Sequence, residues 1–263
     1  MTNLNGKTIL ITGAARRLGR LFALACARSG ADIIIHHSHS DEEAKQVKDE
    51  IESLGRIAHI LASNFGTPDS AARLISQAND ISPLYALVNS AAIFENLSFQ
   101  TTSLEDWNRH LNINLTAPFL LSQEFANHLL APAAVPGGED SSKSDSVIKG
   151  RIVNILDWRA LRPGADHFPY TVSKAALAAM TRSLAVALAP RISVNGLALG
   201  AILPPSDTNP ADNPSVSEKI IENVPARRWS EAGEVEEALL FLLTGPAYIT
   251  GEIIHVDGGR HLI

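Results

Sequence analysis

Seven short, almost wholly apolar runs alternate with helical segments along this chain, and no other feature restricts its fold as much. The runs fall at Thr8–Thr12, Asp32–His36, Ile57–Leu61, Tyr85–Asn89, Arg151–Leu156, Ile192–Leu197 and Glu252–Val256. They suit strands covered on both faces, because a strand with one wet face alternates apolar with polar residues. Between the first two, Leu18, Leu21, Phe22, Ala25 and Cys26 recur at helical spacing and stop at Gly30, a C-terminal signal. A second helix opens on Ser40-Asp41-Glu42-Glu43, which predicts a capping box, and ends at Leu54-Gly55. Further helices are expected near Ser70–Asn79, Leu104–Leu130 and Tyr170–Leu188. Strands alternating with helices imply right-handed crossovers and a parallel sheet. The expectation is one α/β domain over residues 1–263, a doubly wound sheet of about seven strands with helices on both faces.

Two segments break the rhythm. Residues 131–150 are rich in Pro, Gly and Ser and read as a surface loop. Residues 203–223 begin with a stretch carrying Pro204, Pro205, Pro210 and Pro214, irregular through Val216, after the sixth strand. Ligands of such sheets bind outside the carboxyl ends of the strands, so this stretch is a candidate substrate lid.

Composition removes several functional classes. With 22 Lys+Arg against 28 Asp+Glu, the net charge of −6 offers no footprint for nucleic acid. Cys26 is the sole cysteine, which excludes an internal disulfide framework. No run of about 18 apolar residues predicts a membrane span, and Met1–Lys7 lacks the features of a secretory signal, so a cytoplasmic location is expected.

The first run leads into Thr12-Gly13-Ala14-Ala15-Arg16-Arg17-Leu18-Gly19 and then a helix. Glycines there allow a tight turn and close approach to a pyrophosphate, whose charge the helix N-terminus favours. Gly13, Arg16, Arg17, Leu18 and Gly19 are therefore candidate cofactor residues, with Arg17 standing where the usual spacing has its middle glycine. An acidic residue at the end of the second strand would select NAD by accepting the ribose 2′-hydroxyl. The chain instead reads Ile35-His36-His37-Ser38-His39-Ser40. His36, Ser38 and Ser40, with an arginine nearby, suit a 2′-phosphate, so NADPH is the expected cofactor. Without carboxylates among them, the three histidines predict no metal site.

Tyr170 and Lys174, at i and i+4 on one helix face, supply a phenol and an ammonium that would lower its pKa. With the glycine turn, Asn89-Ser90-Ala91-Ala92, Asn114 and Val256-Asp257-Gly258-Gly259, they make the chain resemble the short-chain dehydrogenase/reductase family along essentially its whole length. The resemblance implies a Rossmann-type fold, Tyr170 as proton donor, Lys174 on the nicotinamide ribose, and Asn114 in a water-mediated proton relay. It further places Asn64 and Phe65 near adenine, Asn89, Ser90 and Ala91 along the cofactor, and Gly200 and Ile202 beside the nicotinamide. A homotetramer is implied, with Arg260 reaching a neighbouring subunit's site. Trp107, Trp158 and Trp229 either border the site or pack.

One departure bears on substrate. Where most members carry a serine 13 residues before the tyrosine, this chain has Asp157. A carboxylate repels a developing alkoxide but accepts hydrogen bonds from a nitrogen heterocycle. Asp157, Arg17 and Phe94 together resemble the pteridine reductase branch, including dihydromonapterin and dihydrofolate reducers. That branch implies Arg17, Phe94, Asp157 and Tyr170 around a pterin stacked on Phe94. Two alternatives stand beside it: a carbonyl reductase acting on a ketone or 3-oxoacyl substrate, and a non-catalytic NADPH-binding sensor.

Overall fold

Among the residues described by the computed structural model, 3–67, 69–131, 148–203 and 214–263, the apolar runs form seven strands. These are β1 (Thr8–Ile11), β2 (Asp32–His37), β3 (Ala58–Ala62), β4 (Leu84–Asn89), β5 (Gly150–Asp157), β6 (Ile192–Leu199) and β7 (Ile253–Val256). They join one sheet in the order β3-β2-β1-β4-β5-β6-β7. Every pairing is parallel, from Thr8 beside Asp32 to Leu199 beside Val256. The helices are α1 (Arg17–Arg28), α2 (Asp41–Ser53), α3 (Asp69–Ile81), α4 (Leu104–Leu111), α5 (Ala117–Leu130), α6 (Phe168–Leu188), α7 (Pro214–Glu222) and α8 (Ala232–Thr244).

Side chains alternate across a strand, so neighbouring residues serve opposite cores. Ile9, Ile11, Ile33 and Ile35 pack with Phe22 of α1, Val47 and Ile51 of α2, and Leu239 and Leu243 of α8. Leu10 and Ile34 face the other way, onto Leu74 and Ile75 of α3 and Leu121 and Phe125 of α5. Each such isoleucine or leucine contributes about 1.5–3 kcal/mol by leaving water. The central strands lack the one-sided wetting that would force a polar alternation, hence their near-continuous apolar runs. Edge strand β3, by contrast, exposes His59 and Ala62.

Two helices escaped the sequence reading. The last two turns of α8 are nearly all apolar, and its capping box is acidic, Glu231 with Glu234, where a Ser/Thr signal would be sought. Its C-terminus is held from below by buried Arg151 of β5, whose guanidinium donates to the carbonyls of Leu242 and Gly245 at 2.8 Å each. A cation there also suits the negative end of the helix dipole. Helix α7 begins at Pro214, inside the stretch expected to be irregular; a proline at the first helical position lacks only an N–H the helix would not have used. The remainder of the expected lid, 204–213, and the expected loop from 132 to 147 lie outside the described residues.

The long helix expected over Leu104–Leu130 is interrupted by one π-turn, Asn112–Thr116, between α4 and α5. The capping box expected at Ser40 does not form, because its hydroxyl is turned away from α2. No helix among the described residues is long and apolar enough to cross a membrane.

Candidate active site

The sheet order reverses between β1 and β4, which opens a crevice at the carboxyl ends of these strands. The glycine turn lies at its mouth. Gly13 has φ +67°, and a Cβ there would lie 3.0 Å from Ala91 Cα; a Cβ at Gly19 would run into the Gly13 carbonyl. Arg17, in the middle-glycine position, adopts φ +49°, the left-handed conformation for which glycine is the usual residue. Arg16 and Arg17 are exposed, and Leu18 packs against the core beneath.

His36 does not face a nucleotide. It is buried behind the turn, where its Nδ1 accepts from Gly13 N–H at 3.2 Å and its carbonyl from Ala14 N–H at 2.9 Å. Nε2 donates to the Ser63 carbonyl at 3.0 Å, and the ring stacks on buried Phe65 at 4.3 Å. The side chains of His36 and Phe65 thus form the floor of the glycine turn. Burial lowers the His36 pKa from 6.5 to about 4. The unfolded chain takes up this proton first as pH falls, so stability is expected to drop from pH 6.5 towards 4, by about 3 kcal/mol. Urea midpoints across that window should show the decline, and His36→Gln should flatten it.

At the end of β2, Ser38 is exposed and Ser40 accepts from Arg16 Nε at 2.8 Å and Nη2 at 2.6 Å. This is why Ser40 does not cap α2. The arginine and the serine converge at the N-terminus of α2, where Glu43 also touches Arg16 at 3.2 Å. Asn64 is exposed, and its side-chain oxygen accepts from Gly66 N–H, shaping the turn after β3.

Thr12 Oγ1 accepts from both Ser90 and Ala91 N–H, at 2.9 and 3.0 Å, stapling the exits of β1 and β4 together. Those two N–H groups are therefore engaged within the protein and do not donate to a ligand. Asn89 donates to Asn154 at 2.8 Å, and its Oδ1 is buried without a partner. Gly200 packs so tightly on Asp257 that a Cβ would lie 2.6 Å from its Cα. Ile202 is buried in the core and borders a cavity of about 330 Å³ with Val224, Arg228, Glu234 and His255. Asp157, Tyr170 and Lys174 are not among the residues lining that cavity.

Asp157 ends β5 and Tyr170 and Lys174 lie in the first two turns of α6. The Tyr170 hydroxyl donates to Asp157 Oδ2 at 3.2 Å, while Asp157 Oδ1 accepts from Arg159 N–H at 2.9 Å. Lys174 Nζ is buried and donates to the Ile155 carbonyl at 2.7 Å. The expectation that Lys174 lowers the Tyr170 pKa is corrected here. Burial pushes the phenol well above its usual range, and the Asp157 charge and hydrogen bond push it further. Lys174 is itself lowered to about 8 by burial. The carboxylate, not the ammonium, is the phenol's hydrogen-bonded neighbour.

Asn114 sits in the π-turn, fully buried. Its Oδ1 accepts from Ile93 N–H at 2.9 Å, and its Nδ2 donates to Ile93 O at 3.0 Å and Ser173 Oγ at 3.1 Å. Both of its amide hydrogens are thereby given to protein partners, and Oδ1 keeps one acceptor position beyond Ile93. Ser173, absent from the sequence reading, passes the linkage on to the Tyr170 carbonyl at 2.7 Å.

Phe94 follows Ile93. It is 54% exposed, meets Tyr170 edge-on at 4.7 Å, and stacks one face on His167 at 3.8 Å. Trp107 packs against Phe168, whereas Trp158 borders the site, with the guanidiniums of Arg159 and Arg260 on its ring. Arg260 thus lies against its own chain's site. His167 and Arg159 were also missed; their partners are close in space but gave no spacing signal in sequence.

The family described as "Enoyl-(Acyl carrier protein) reductase" matches residues 13–261. A 3-oxoacyl-(acyl-carrier-protein) reductase of Aquifex aeolicus is 34% identical over 260 residues, covering 97% of this chain and 98% of its own. FolM alternative dihydrofolate reductase 1 from Brucella canis, solved with NADP, superposes with a TM-score of 0.84 at 31% identity, covering 99% of this chain and 96% of its own. A blue fluorescent protein from a metagenomic library, solved with NADPH, superposes with a TM-score of 0.82 at 33% identity, covering 98% and 99%.

Proposed function

Because the chain belongs to the short-chain dehydrogenase/reductase family of NADP-dependent oxidoreductases, we propose that it reduces a dihydropterin to the tetrahydro form with NADPH. The observation that carries this reading is the carboxylate of Asp157 on the phenol of Tyr170, at 3.2 Å. A ketone passing to an alkoxide gains negative charge beside that carboxylate, which is unfavourable at such range. A pterin gains the opposite: its ring N–H groups donate to a carboxylate that can only accept.

NADPH, when bound, supplies a hydride to the carbon of the C=N bond. Gly13 and Gly19 let the backbone come close to its pyrophosphate, and Arg16 with Ser40 receives the 2′-phosphate. Lys174 holds the nicotinamide ribose. Tyr170 delivers its proton to the adjacent ring nitrogen, and Asp157 orients the phenol and the ring. The exposed part of the Phe94 ring, with the Arg159 guanidinium 5.8 Å from its centre, supports the heterocycle, worth about 1 kcal/mol beyond area burial. The same reading makes the working form a cytoplasmic homotetramer, in keeping with exposed Phe119, Val186 and Phe241 on α5, α6 and α8.

NADPH oxidation by the purified protein should proceed with dihydromonapterin, dihydrobiopterin or dihydrofolate, and fail with NADH. Asp157→Ser should lower pterin turnover about 100-fold. The second reading, reduction of a 3-oxoacyl thioester, draws on the 34% identical Aquifex aeolicus relative. Activity on a β-keto thioester alone, tolerant of Asp157→Ser, would establish it instead.

A further inference from the structure

Trp158 lies one residue beyond Asp157, and two guanidiniums rest on its indole: Arg159, 4.7 Å from the ring centre, and Arg260, 4.4 Å from it. Arg159 pairs with Asp157 at 3.5 Å and Asp166 at 2.7 Å, and the third nearby carboxylate, Asp257, lies 2.7 Å from His261 Nδ1. Arg260 comes from the turn after Gly259, and its carbonyl accepts from Arg162 Nη1 at 3.4 Å. Neither Arg260 nor Arg162 forms an ion pair among the described residues, and Arg159 Nε is buried without an acceptor. Arg260 is partly buried. Burial and the neighbouring Arg159 disfavour the charge of Arg260. The carboxylates of Asp157, Asp166 and Asp257 offset part of that cost without a direct ion pair among the described residues, and the indole stack offsets a further part. Placed at the rim of the reaction centre, the planar donors of Arg260 match a carboxylate or a phosphate.

We propose that Arg260, backed by Arg162 and stacked on Trp158, is the receptor for an anionic group on the substrate's tail. The proposal rests on the reading of Asp157 and Tyr170 as the reaction centre. The head of the substrate meets Tyr170 and Phe94, and the tail runs outward along Trp158. Two tails carry the right chemistry: the carboxylates of an aminobenzoylglutamate arm and the phosphate of a pantetheine arm.

Calorimetric titration of the NADP-loaded protein decides the matter without turnover. The probes are p-aminobenzoylglutamate and 4′-phosphopantetheine, each against its neutral counterpart, p-aminobenzamide and pantetheine. One anionic probe should bind about tenfold more tightly than its counterpart, and the advantage should shrink as salt rises. Arg260→Met should remove the advantage. A preference for p-aminobenzoylglutamate assigns a folate-like tail, and one for 4′-phosphopantetheine a carrier-bound acyl chain. Equal binding of anionic and neutral probes by the unaltered protein overturns the proposal, as does a preference that survives in Arg260→Met. The first of these comparisons needs no variant to fold. Anion preference without reduction of any pterin would refute the proposed reaction and leave the anion receptor standing.

Discussion

Tyr170→Phe is expected to lower kcat about 10²- to 10⁴-fold while leaving NADPH binding nearly unchanged. The substitution removes one oxygen and keeps the ring that Phe94 meets at 4.7 Å, so the wall of the site survives. What goes is the proton that Asp157 holds at 3.2 Å. Burial and the neighbouring carboxylate both resist ionisation of that phenol, so Tyr170 enters the reaction protonated. No other hydroxyl on this face of α6 can substitute: Ser173 points into the protein, onto the Tyr170 carbonyl and Asn114. Steady-state turnover and NADPH titration of the same variant separate the two effects. A variant that kept most of its turnover would remove Tyr170 from proton delivery.

Gly19→Ala should weaken NADPH binding about 10- to 100-fold and destabilise the fold by about 1–3 kcal/mol. The general rule gives the opposite sign, since alanine favours a helix over glycine by about 0.5–1 kcal/mol. Gly19 lies within α1 at an ordinary φ, so the contact alone decides. An added methyl would strike the Gly13 carbonyl and come within 3.0 Å of Ala14 Cα. Both obstacles are backbone, which cannot swing aside as a side chain would. The turn must open, and with it the close approach that a pyrophosphate requires. Thermal melting with and without NADPH tests both halves; a more stable variant with normal affinity would show that the contact is relieved without consequence.

The strands were legible because all but the edge strand β3 are largely covered on both faces, which leaves a local mark of apolar residues. Boundaries shifted by only a residue or two, as at β3. The glycine turn was legible for a similar reason: its demands on backbone space are met by residues adjacent in sequence. Groups defined by distant partners were not. His36 looked like a phosphate ligand until Gly13, Ser63 and Phe65 closed around it. Ser40 looked like a helix cap until Arg16 claimed its hydroxyl. Lys174 was correctly placed on the face of Tyr170, yet its burial and the nearer Asp157 reverse the expected influence on the phenol. Arg159, between Asp157 and Asp166, carried no pattern at all.

The grip of Asn114 on Ile93 reaches beyond the reaction centre. One side-chain amide satisfies both the N–H and the carbonyl of Ile93, as a neighbouring strand would. It does so from a fully buried position between α4, α5 and α6. The Ile93 amide is therefore expected to exchange its hydrogen with solvent more slowly than an unpaired loop amide, since its acceptor is held in the helical junction. Phe94 inherits that order from its neighbour. Its backbone gives up its conformational freedom during folding rather than at each encounter, and a flat substrate finds its supporting surface already set.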